Sequence, residues 1–466
     1  MIRDVNTVRG SFRDPSGFVF RHEGRVYRQV NMSYRDHYVH LMRSGLYADL
    51  CSKQMLVRHE EVDLDREAAD GAYVILRPEY VPFISYPYEW CPGQLREAAL
   101  VTLDAQLSAM QHGMTLKDAN AYNIQFVQGR ATLIDTLSFE VYEEGQPWPA
   151  YRQFCQHFLA PLALACFCDV RLTQLLRVHI DGIPLDLASA LLRRRTWLRP
   201  SLLVHIHLHA RAQRHFAGTT NVGKDSRPRR VSRLGLLGLV KNLRSAVAAL
   251  RWKPDRSEWG QYYEDTNYTQ DGMTHKRDIV AGYLERLRPG VVWDLGANTG
   301  RFSAIAAAQG ARVLSCDVDP VAVEQNYLES VRRNDGSILP LLLDITNPSP
   351  GIGWRNVERL SLAQRRDADT ILALALVHHL AITHNLPLAM IAEFLAELCE
   401  SLIIEFVPKE DSQVQRLLAS RPDVFPGYTR RSFEEAFTKW FTICDAAGVR
   451  DSGRIIYMLE RIHDGD

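Results

Sequence analysis

A glycine-rich turn between an apolar run and an amphipathic stretch constrains the fold of this chain more than any other feature. Residues 291–294 are apolar and end in an acid, Asp294, and residues 295–300 read LGANTG. The amphipathic stretch 302–309 follows at once. Glycine lets the backbone turn sharply, and it leaves space for a ligand where a Cβ atom would block it. The segment therefore predicts a strand, a tight turn that accepts a ligand, and a helix.

The same half of the chain continues to alternate short apolar runs with helical stretches. A second run, 312–316, ends at Asp317, a third precedes Asp344, and a fourth and a fifth span 370–376 and 402–404. This alternation is typical of βαβ units in a mostly parallel sheet, which binds ligands beyond the carboxyl ends of its strands. The predicted fold class of this half is α/β, with a doubly wound, Rossmann-like sheet.

The residues around the turn favour an adenosine cofactor without phosphates. Asp317, at the end of the second strand, is placed to accept hydrogen bonds from a ribose diol. A dinucleotide fingerprint that began at Gly296 would have glycine at positions 298 and 301, where this chain has Asn298 and Arg301. An acid just before the turn repels phosphate and suits a cationic aminoacyl group. S-adenosylmethionine combines these properties and is the predicted cofactor.

Three segments, VVWDLGANTGRFS, VLSCDVDPVAV and LLLDITNP, resemble the cofactor-binding half of class I S-adenosylmethionine-dependent methyltransferases. The resemblance covers residues 268–460, and it implies transfer of a methyl group to an acceptor that is either a small molecule or a protein. It also implies that residues 425–433 and 454–460 supply the closing hairpin. The cofactor-binding residues that it implies are Asp294, Gly296, Ala297, Asn298, Gly300, Asp317, Val318, Asp344 and Ile345.

The resemblance gives these residues separate roles. Asp294 and the backbone of the turn would hold the methionine end, and Asp317 would hold the ribose hydroxyls. Asp344 would meet the adenine amino group, with Ile345 against the ring. An aromatic and basic cluster precedes the first strand, and it is predicted either to cover the cofactor or to pack in the core: Trp259, Gln261, Tyr262, Tyr263, Tyr268 and Lys276.

Candidates for catalysis follow the fourth and fifth strands. His378 and His379 lie where this family places residues that line the methyl-transfer site. A histidine there suits a general base because its pKa lies near neutral pH, and the sequence does not rank the two. Glu405, directly after the fifth strand, is predicted either to contact the substrate or to serve as a structural carboxylate.

A second pattern lies in the first 216 residues. Asp118, Asn123 and Asp135 flank a predicted hairpin of residues 124–126 and 131–134. They resemble the catalytic and metal-binding loops of protein-kinase-like and aminoglycoside-phosphotransferase-like folds. The resemblance implies that Asp118 orients an acceptor hydroxyl and that the other two residues hold magnesium.

The chain departs from that kinase-like pattern in three respects. It has no glycine-rich nucleotide loop, Arg28 stands where a phosphate-pairing lysine is expected, and Thr136 and Leu137 follow the acid. A phosphotransferase is therefore the alternative function, and a non-catalytic protein that binds S-adenosylmethionine is a further one.

The length of 466 residues predicts more than one domain. We expect a mixed α+β, kinase-like domain at 1–216 that recognises the substrate, and a methyltransferase domain at 259–466. Between them, residues 217–258 are predicted as a linker with an amphipathic helix at 234–250. The linker carries a basic tract of Lys224, Arg227, Arg229, Arg230 and Arg233.

Composition argues against several other classes of function. The 55 Lys and Arg residues balance 55 Asp and Glu residues, so binding of bulk nucleic acid is not favoured. The basic tract could contact RNA phosphates, but it lacks a paired aromatic motif, and the chain has no clear nucleic-acid signature. The longest apolar stretch, 158–168, is shorter than the roughly 20 residues of a spanning helix, and a cytoplasmic location is predicted. No metal is predicted, because the group His205, His207, His209 and His215 lacks a nearby carboxylate or cysteine.

Overall fold

The computed structural model describes residues 6–64, 71–217, 230–253, 268–419 and 422–463, with backbone alone at 214–217. The chain divides into two compact units. Unit 1 takes its residues from 1–253 and 351–359, and unit 2 takes its residues from 254–350 and 360–466. Among the described helices, none is both long enough and apolar enough to cross a bilayer.

Unit 1 contains a five-stranded antiparallel sheet in the order β1-β2-β3-β5-β4 and two antiparallel pairs, β6 with β9 and β7 with β8. Its strands are β1 (Asn6–Thr7), β2 (Gly17–His22), β3 (Arg25–Asn31), β4 (His59–Val62), β5 (Ala72–Pro78), β6 (Met114–Leu116), β7 (Ile124–Val127), β8 (Arg130–Leu133) and β9 (Phe139–Val141). Two hairpin turns have positive φ at both central residues, which is the geometry that suits two-residue hairpins. They are the β2–β3 turn at Glu23 and Gly24 and the β7–β8 turn at Gln128 and Gly129.

The helices of unit 1 cover the rest of its core. They are α1 (Arg35–Arg43), α2 (Leu46–Ser52), α3 (Pro92–Gln111), α4 (Tyr151–Phe154), α5 (Ala160–Phe167), α6 (Leu175–Val178), α7 (Leu185–Leu191), α8 (Pro200–Leu202), α9 (His209–Ala217) and α10 (Arg233–Ala249), with π-helical segments at Cys155–Leu159 and Leu203–Leu208. The predicted amphipathic helix is α10. It packs on α3 through a buried stripe of Leu236, Val240, Leu243 and Val247. It therefore belongs to unit 1, although the sequence analysis placed it in the linker.

The order of elements in unit 1 bears on the kinase-like fold predicted for residues 1–216, which stays a prediction. A small antiparallel sheet comes first, then helix α3, and the loop that carries Asp118 and Asn123 joins β6 to β7.

The segment 351–359 also belongs to this unit, although it lies between two strands of unit 2 along the chain. Within unit 1, Arg13 Nε and Nη2 donate to the two carboxylate oxygens of Glu358, at 2.6 and 3.0 Å. No sequence pattern had indicated this attachment.

Unit 2 is built on a seven-stranded sheet in the order β12-β11-β10-β13-β14-β16-β15, in which β16 alone runs in the direction opposite to the other six strands. The strands are β10 (Val291–Leu295), β11 (Arg312–Asp317), β12 (Ile338–Leu342), β13 (Ala368–Ala373), β14 (Cys399–Phe406), β15 (Phe441–Gly448) and β16 (Ile455–Arg461). The helices are α11 (Gln270–Leu287), α12 (Arg301–Ala308), α13 (Pro320–Arg333), α14 (Leu388–Leu398), α15 (Ser412–Ala419) and α16 (Arg430–Phe437). The predicted doubly wound sheet is confirmed.

Two predicted boundaries in unit 2 were wrong. The fourth strand ends at Ala373, because Ala375 takes a left-handed conformation with φ of 50°. Residues 425–433 do not form a strand of the closing hairpin. Helix α16 begins there instead, since the Thr429 hydroxyl accepts a hydrogen bond from the Ser432 N–H at 3.1 Å and caps the helix. The hairpin consists of β15 and β16.

Candidate cofactor site

A cavity of about 350 Å³ lies at the carboxyl ends of β10 and β11 and beside the segments that follow β12 and β13. Eight of the nine predicted cofactor residues line it: Asp294, Gly296, Ala297, Asn298, Asp317, Val318, Asp344 and Ile345. The ninth, Gly300, does not line the cavity. The parallel strands bring these residues together because their carboxyl ends meet at one edge of the sheet.

The turn after β10 depends on its glycines. Gly296 and Gly300 have φ of 75° and 77°, and Asn298 between them has φ of 51°. A Cβ atom on Gly300 would lie 2.5 Å from Oδ1 of the Asn326 side chain. The N–H groups of Gly296 and Ala297 both donate to the carbonyl of Cys316, at 2.9 Å each, which ties the turn to β11. Gly300 therefore shapes the turn rather than the cavity wall.

Asp294 is a buried acid at the end of β10, with 2% of its surface exposed. The Ser303 hydroxyl donates to its Oδ2 at 2.7 Å and lies 2.8 Å from the hydroxyl of Ser315. Burial raises the pKa of Asp294 to about 6, although the hydrogen bond from Ser303 opposes that shift. An opposite charge that entered the cavity would be favoured here, because it would stabilise the ionised carboxylate.

The other two acids are held by nearby backbone N–H groups. Asp317 accepts from the N–H of Asn298 at 2.7 Å and from the N–H of Asp319 at 2.9 Å. Burial raises the pKa of Asp317, and those two hydrogen bonds oppose the shift. Asp344 accepts from the N–H and the hydroxyl of Thr346 through one oxygen, Oδ1, at 2.8 and 2.6 Å. Both carboxylates are thus fixed in orientation beside the cavity.

Lys276 also lines the cavity, and it belongs to a buried network of charges. Its Nζ donates to Glu405 Oε2 at 2.7 Å. Glu405 is fully buried, accepts a hydrogen bond from the Tyr268 hydroxyl and lies 3.9 Å from the guanidinium of Arg454. Arg454 in turn makes two hydrogen bonds to Asp411, at 2.7 and 3.1 Å. Two buried cations are therefore paired with two buried anions.

Glu405 does not line the cavity, and the structure places it in the charge network. The coulombic fields of Lys276 and Arg454 hold its pKa below the ordinary value, against the effect of burial.

In the aromatic and basic cluster before the first strand, Tyr268 and Lys276 reach the cavity wall. The other members of that cluster, Trp259, Gln261, Tyr262 and Tyr263, lie outside the described residues, as do Lys224, Arg227 and Arg229 of the basic tract.

The structure distinguishes the two neighbouring histidines. His379 lines the cavity, whereas His378 is 1% exposed and does not. Burial lowers the pKa of His379 to about 4, so the imidazole is neutral at pH 7. Burial also lowers the pKa of His378 well below its ordinary value.

Sequence reasoning missed several residues of the cavity wall. Met273, Phe302, Thr383 and His384 all line it. Met273 lies three residues before Lys276 on α11, so helical spacing could have placed them on one face. The pattern offered no comparable signal for Thr383 and His384, because Thr383 is the last residue of a π-helical segment, His379–Thr383, and His384 follows it.

The kinase-like residues of unit 1 also lie close together. The Asp118 carboxyl is hydrogen-bonded to the Asn123 side chain, and burial followed by the charge of Asp135 raises its pKa. Asp135 forms an ion pair with Arg28, whose Nη2 lies 2.8 Å from Oδ1. Asp135 Oδ2 accepts from the Ser138 hydroxyl at 3.0 Å. Both carboxylate oxygens of Asp135, which would bind a metal ion, are thus in contact with donors of the protein.

The histidines of the segment 205–209 take part in hydrogen bonds within unit 1. His205 lies 2.8 Å from the Tyr151 hydroxyl and 2.9 Å from Asn242 Oδ1. His207 lies 2.8 Å from the Ser189 hydroxyl and 2.9 Å from that of Thr196. The side chain of His215 is not among those described.

A doubly wound sheet in this strand order, with acids after its first three strands facing one cavity, is the fold of class I methyltransferases. No family model matches the chain. The chain is 36% identical over 459 residues to the nodulation protein NoeA of Rhizobium meliloti (strain 1021), and the match covers 97% of this chain and 96% of NoeA. The chain therefore belongs to the NoeA family.

Comparison with solved structures finds similar proteins at low TM-scores. The magnesium protoporphyrin IX methyltransferase ChlM from Synechocystis PCC 6803, with bound SAH, is 18% identical at a TM-score of 0.32, over 44% of this chain and 92% of that one. The N-methyltransferase NodS from Bradyrhizobium japonicum WM9 is 12% identical at 0.31, over 42% and 98%. The bifunctional kinase-methyltransferase WbdD is 15% identical at 0.31, over 43% of this chain and 41% of its own.

Proposed function

We propose that unit 2 is an S-adenosylmethionine-dependent methyltransferase. The observation that supports the proposal most is the convergence of Asp294, Asp317 and Asp344 on one cavity beside a glycine turn. Three carboxylates repel phosphate groups, and they attract a ligand that carries a sulfonium and an ammonium group. The site thus suits an adenosine derivative that is positively charged and free of phosphate.

The side chains of the cavity suit the separate parts of that cofactor. Asp294 would accept hydrogen bonds from the ammonium of the methionine end, Asp317 from the ribose hydroxyls and Asp344 from the adenine amino group. Ile345 and Val318 would offer apolar contact to the ring. When bound, the cofactor supplies a methyl group on a sulfonium that is open to in-line attack. The protein contributes binding and orientation, which together account for much of the acceleration in such reactions.

We assign the contact with the acceptor to His379 in preference to His378, because only His379 lines the cavity. Since its pKa is lowered to about 4, the neutral ring can accept a hydrogen bond from the attacking group at pH 7. The same low pKa means that His379 would hold a proton only briefly. Glu405 is a positioning residue in this proposal, because it contacts Lys276 rather than the cavity.

Calorimetric titration of the full chain with S-adenosylmethionine and S-adenosylhomocysteine tests the cofactor assignment. Asp317→Ala is expected to weaken binding at least tenfold, because it removes the predicted ribose contact. Asp278→Asn, which alters an exposed carboxylate of the same unit, is the matched control and should bind as the parent does. A folded parent protein that bound neither compound would overturn the proposal. Transfer of a labelled methyl group to a component of a cell extract separates an enzyme from a non-catalytic cofactor-binding protein.

A phosphotransferase in unit 1 is the second candidate, and the proximity of Asp118, Asn123 and Asp135 favours it. The ion pair between Arg28 and Asp135 opposes it, because the guanidinium occupies an oxygen that magnesium would need. Magnesium-dependent binding of ATP that is lost in Asp135→Ala would establish this second activity.

A further inference from the structure

We propose that Lys276 binds the carboxylate of the cofactor's methionine moiety and so makes the site selective for a zwitterionic aminoacyl end. This inference rests on the proposed function and deepens it, because it assigns a residue to the one anionic group of the cofactor. Among the described residues that line the cavity, Lys276 is the only lysine or arginine.

The charges in the cavity wall match those of an α-amino acid. Asp294 and Lys276 both line the cavity and carry opposite charges when ionised. An aminoacyl end presents one ammonium and one carboxylate, separated by a single carbon atom. Charge-assisted hydrogen bonds to each of them are stronger than neutral ones. A wall that carried acids alone would attract the ammonium and repel the carboxylate.

The ammonium of Lys276 is held in place before any ligand enters. The residue is 3% exposed, and its Nζ lies 5.0 Å from the ring centroids of both Tyr268 and Phe302. The hydrogen bond to Glu405 uses one of the three N–H donors that a lysine carries. Burial lowers the pKa of Lys276, and the Glu405 carboxylate opposes that effect. Little side-chain entropy remains to be lost when a ligand binds.

Glu405 has a second cation beside it besides Lys276. Arg454 lies 3.9 Å from Glu405 and also contacts Asp411 through two hydrogen bonds. A buried lysine is costly unless it is paired, and an apolar side chain in its place would spare that cost. The position of Lys276 in the cavity wall gives a reason for a lysine here, because its ammonium can bind an anionic group of a ligand.

The test compares two ligands on two proteins by calorimetry. The ligands are S-adenosylmethionine and its decarboxylated analogue, and the proteins are the full chain and its Lys276→Met variant. We expect the parent to prefer S-adenosylmethionine by about 30-fold, which corresponds to about 2 kcal/mol. In Lys276→Met the ratio should fall close to one. Lys439→Met makes the same change at an exposed position of unit 2 and should keep the parent's ratio.

The ratio of the two affinities measures the contribution of the ligand's carboxylate, because a general loss of structure would weaken the binding of both ligands alike. If Lys276→Met fails to fold, the double variant Lys276→Met/Glu405→Gln, which also neutralises the acid that has lost its lysine partner, is used in its place. A parent that binds S-adenosylmethionine with a ratio that Lys276→Met leaves unchanged would overturn this inference and leave the proposed function intact. A parent that binds neither ligand would overturn the proposed function itself.

Discussion

Replacing Asp294 by Asn is expected to stabilise the folded protein at pH 8 while weakening its affinity for the cofactor. Asp294 is 2% exposed, and burial raises its pKa to about 6 from the ordinary value of 3.8. A carboxyl whose pKa is raised by folding favours the folded state in its protonated form. Its ionised form is therefore a source of instability that an amide of the same shape would remove.

The size of the effect follows from the pKa difference. A shift from 3.8 to about 6 corresponds to about 3 kcal/mol of unfolding free energy. Well below pH 3.8 the carboxyl is protonated in both states, so Asp294 imposes no penalty. The penalty grows as the pH rises from about 4 to about 6 and is constant above that. We expect Asp294→Asn to raise the unfolding free energy at pH 8 by about 1–3 kcal/mol. The gain is smaller than the full penalty if the amide weakens the hydrogen bond with Ser303.

Urea unfolding of the parent and of Asp294→Asn between pH 4.5 and pH 8 measures this difference. The gain in unfolding free energy should increase through this range and level off above pH 6. Asp278→Asn serves as the control, and a substitution at such an exposed position changes stability by about 0.5 kcal/mol or less. An Asp294→Asn variant that is less stable than the parent at pH 8, or whose effect is independent of pH, would refute the reasoning.

Three further results are expected. Gly300→Ala should lower the unfolding free energy by about 2 kcal/mol or more, measured by thermal unfolding, because φ is 77° and the new Cβ would lie 2.5 Å from a buried amide oxygen. His379→Gln should lower the rate of methyl transfer from labelled cofactor by about 100-fold with little effect on cofactor affinity, and His378→Gln should lower that rate far less. The parent protein should show no magnesium-dependent ATP binding in calorimetry, because Arg28 already neutralises Asp135. Tight magnesium-dependent binding would contradict that last expectation.

Much of the cofactor site could be predicted because local rules fix it. An apolar run, a glycine turn and an acid at each strand end are readable from neighbouring residues. Parallel strands then bring Asp294, Asp317 and Asp344 to one edge of the sheet without any further information. The hairpin predicted from residues 124–126 and 131–134 was readable for the same reason, since the turn residue Gly129 marks it.

The remaining features depend on contacts between residues that are distant in sequence. The sequence left Glu405 open between a substrate contact and a structural carboxylate, and only the packing shows that its oxygens contact Lys276 and Tyr268. The ranking of His379 over His378 likewise depends on which ring faces the cavity. The attachment of Glu358 to Arg13 joins residues 345 positions apart and leaves no periodic signal.

A crystal structure of the full chain grown with S-adenosylhomocysteine tests the central claim most directly. The account predicts the aminoacyl end beside Asp294 and Lys276, the ribose at Asp317 and the adenine at Asp344. A structure in which this cavity stays empty at saturating ligand, while a nicotinamide dinucleotide occupies it in a parallel crystal, would contradict the account.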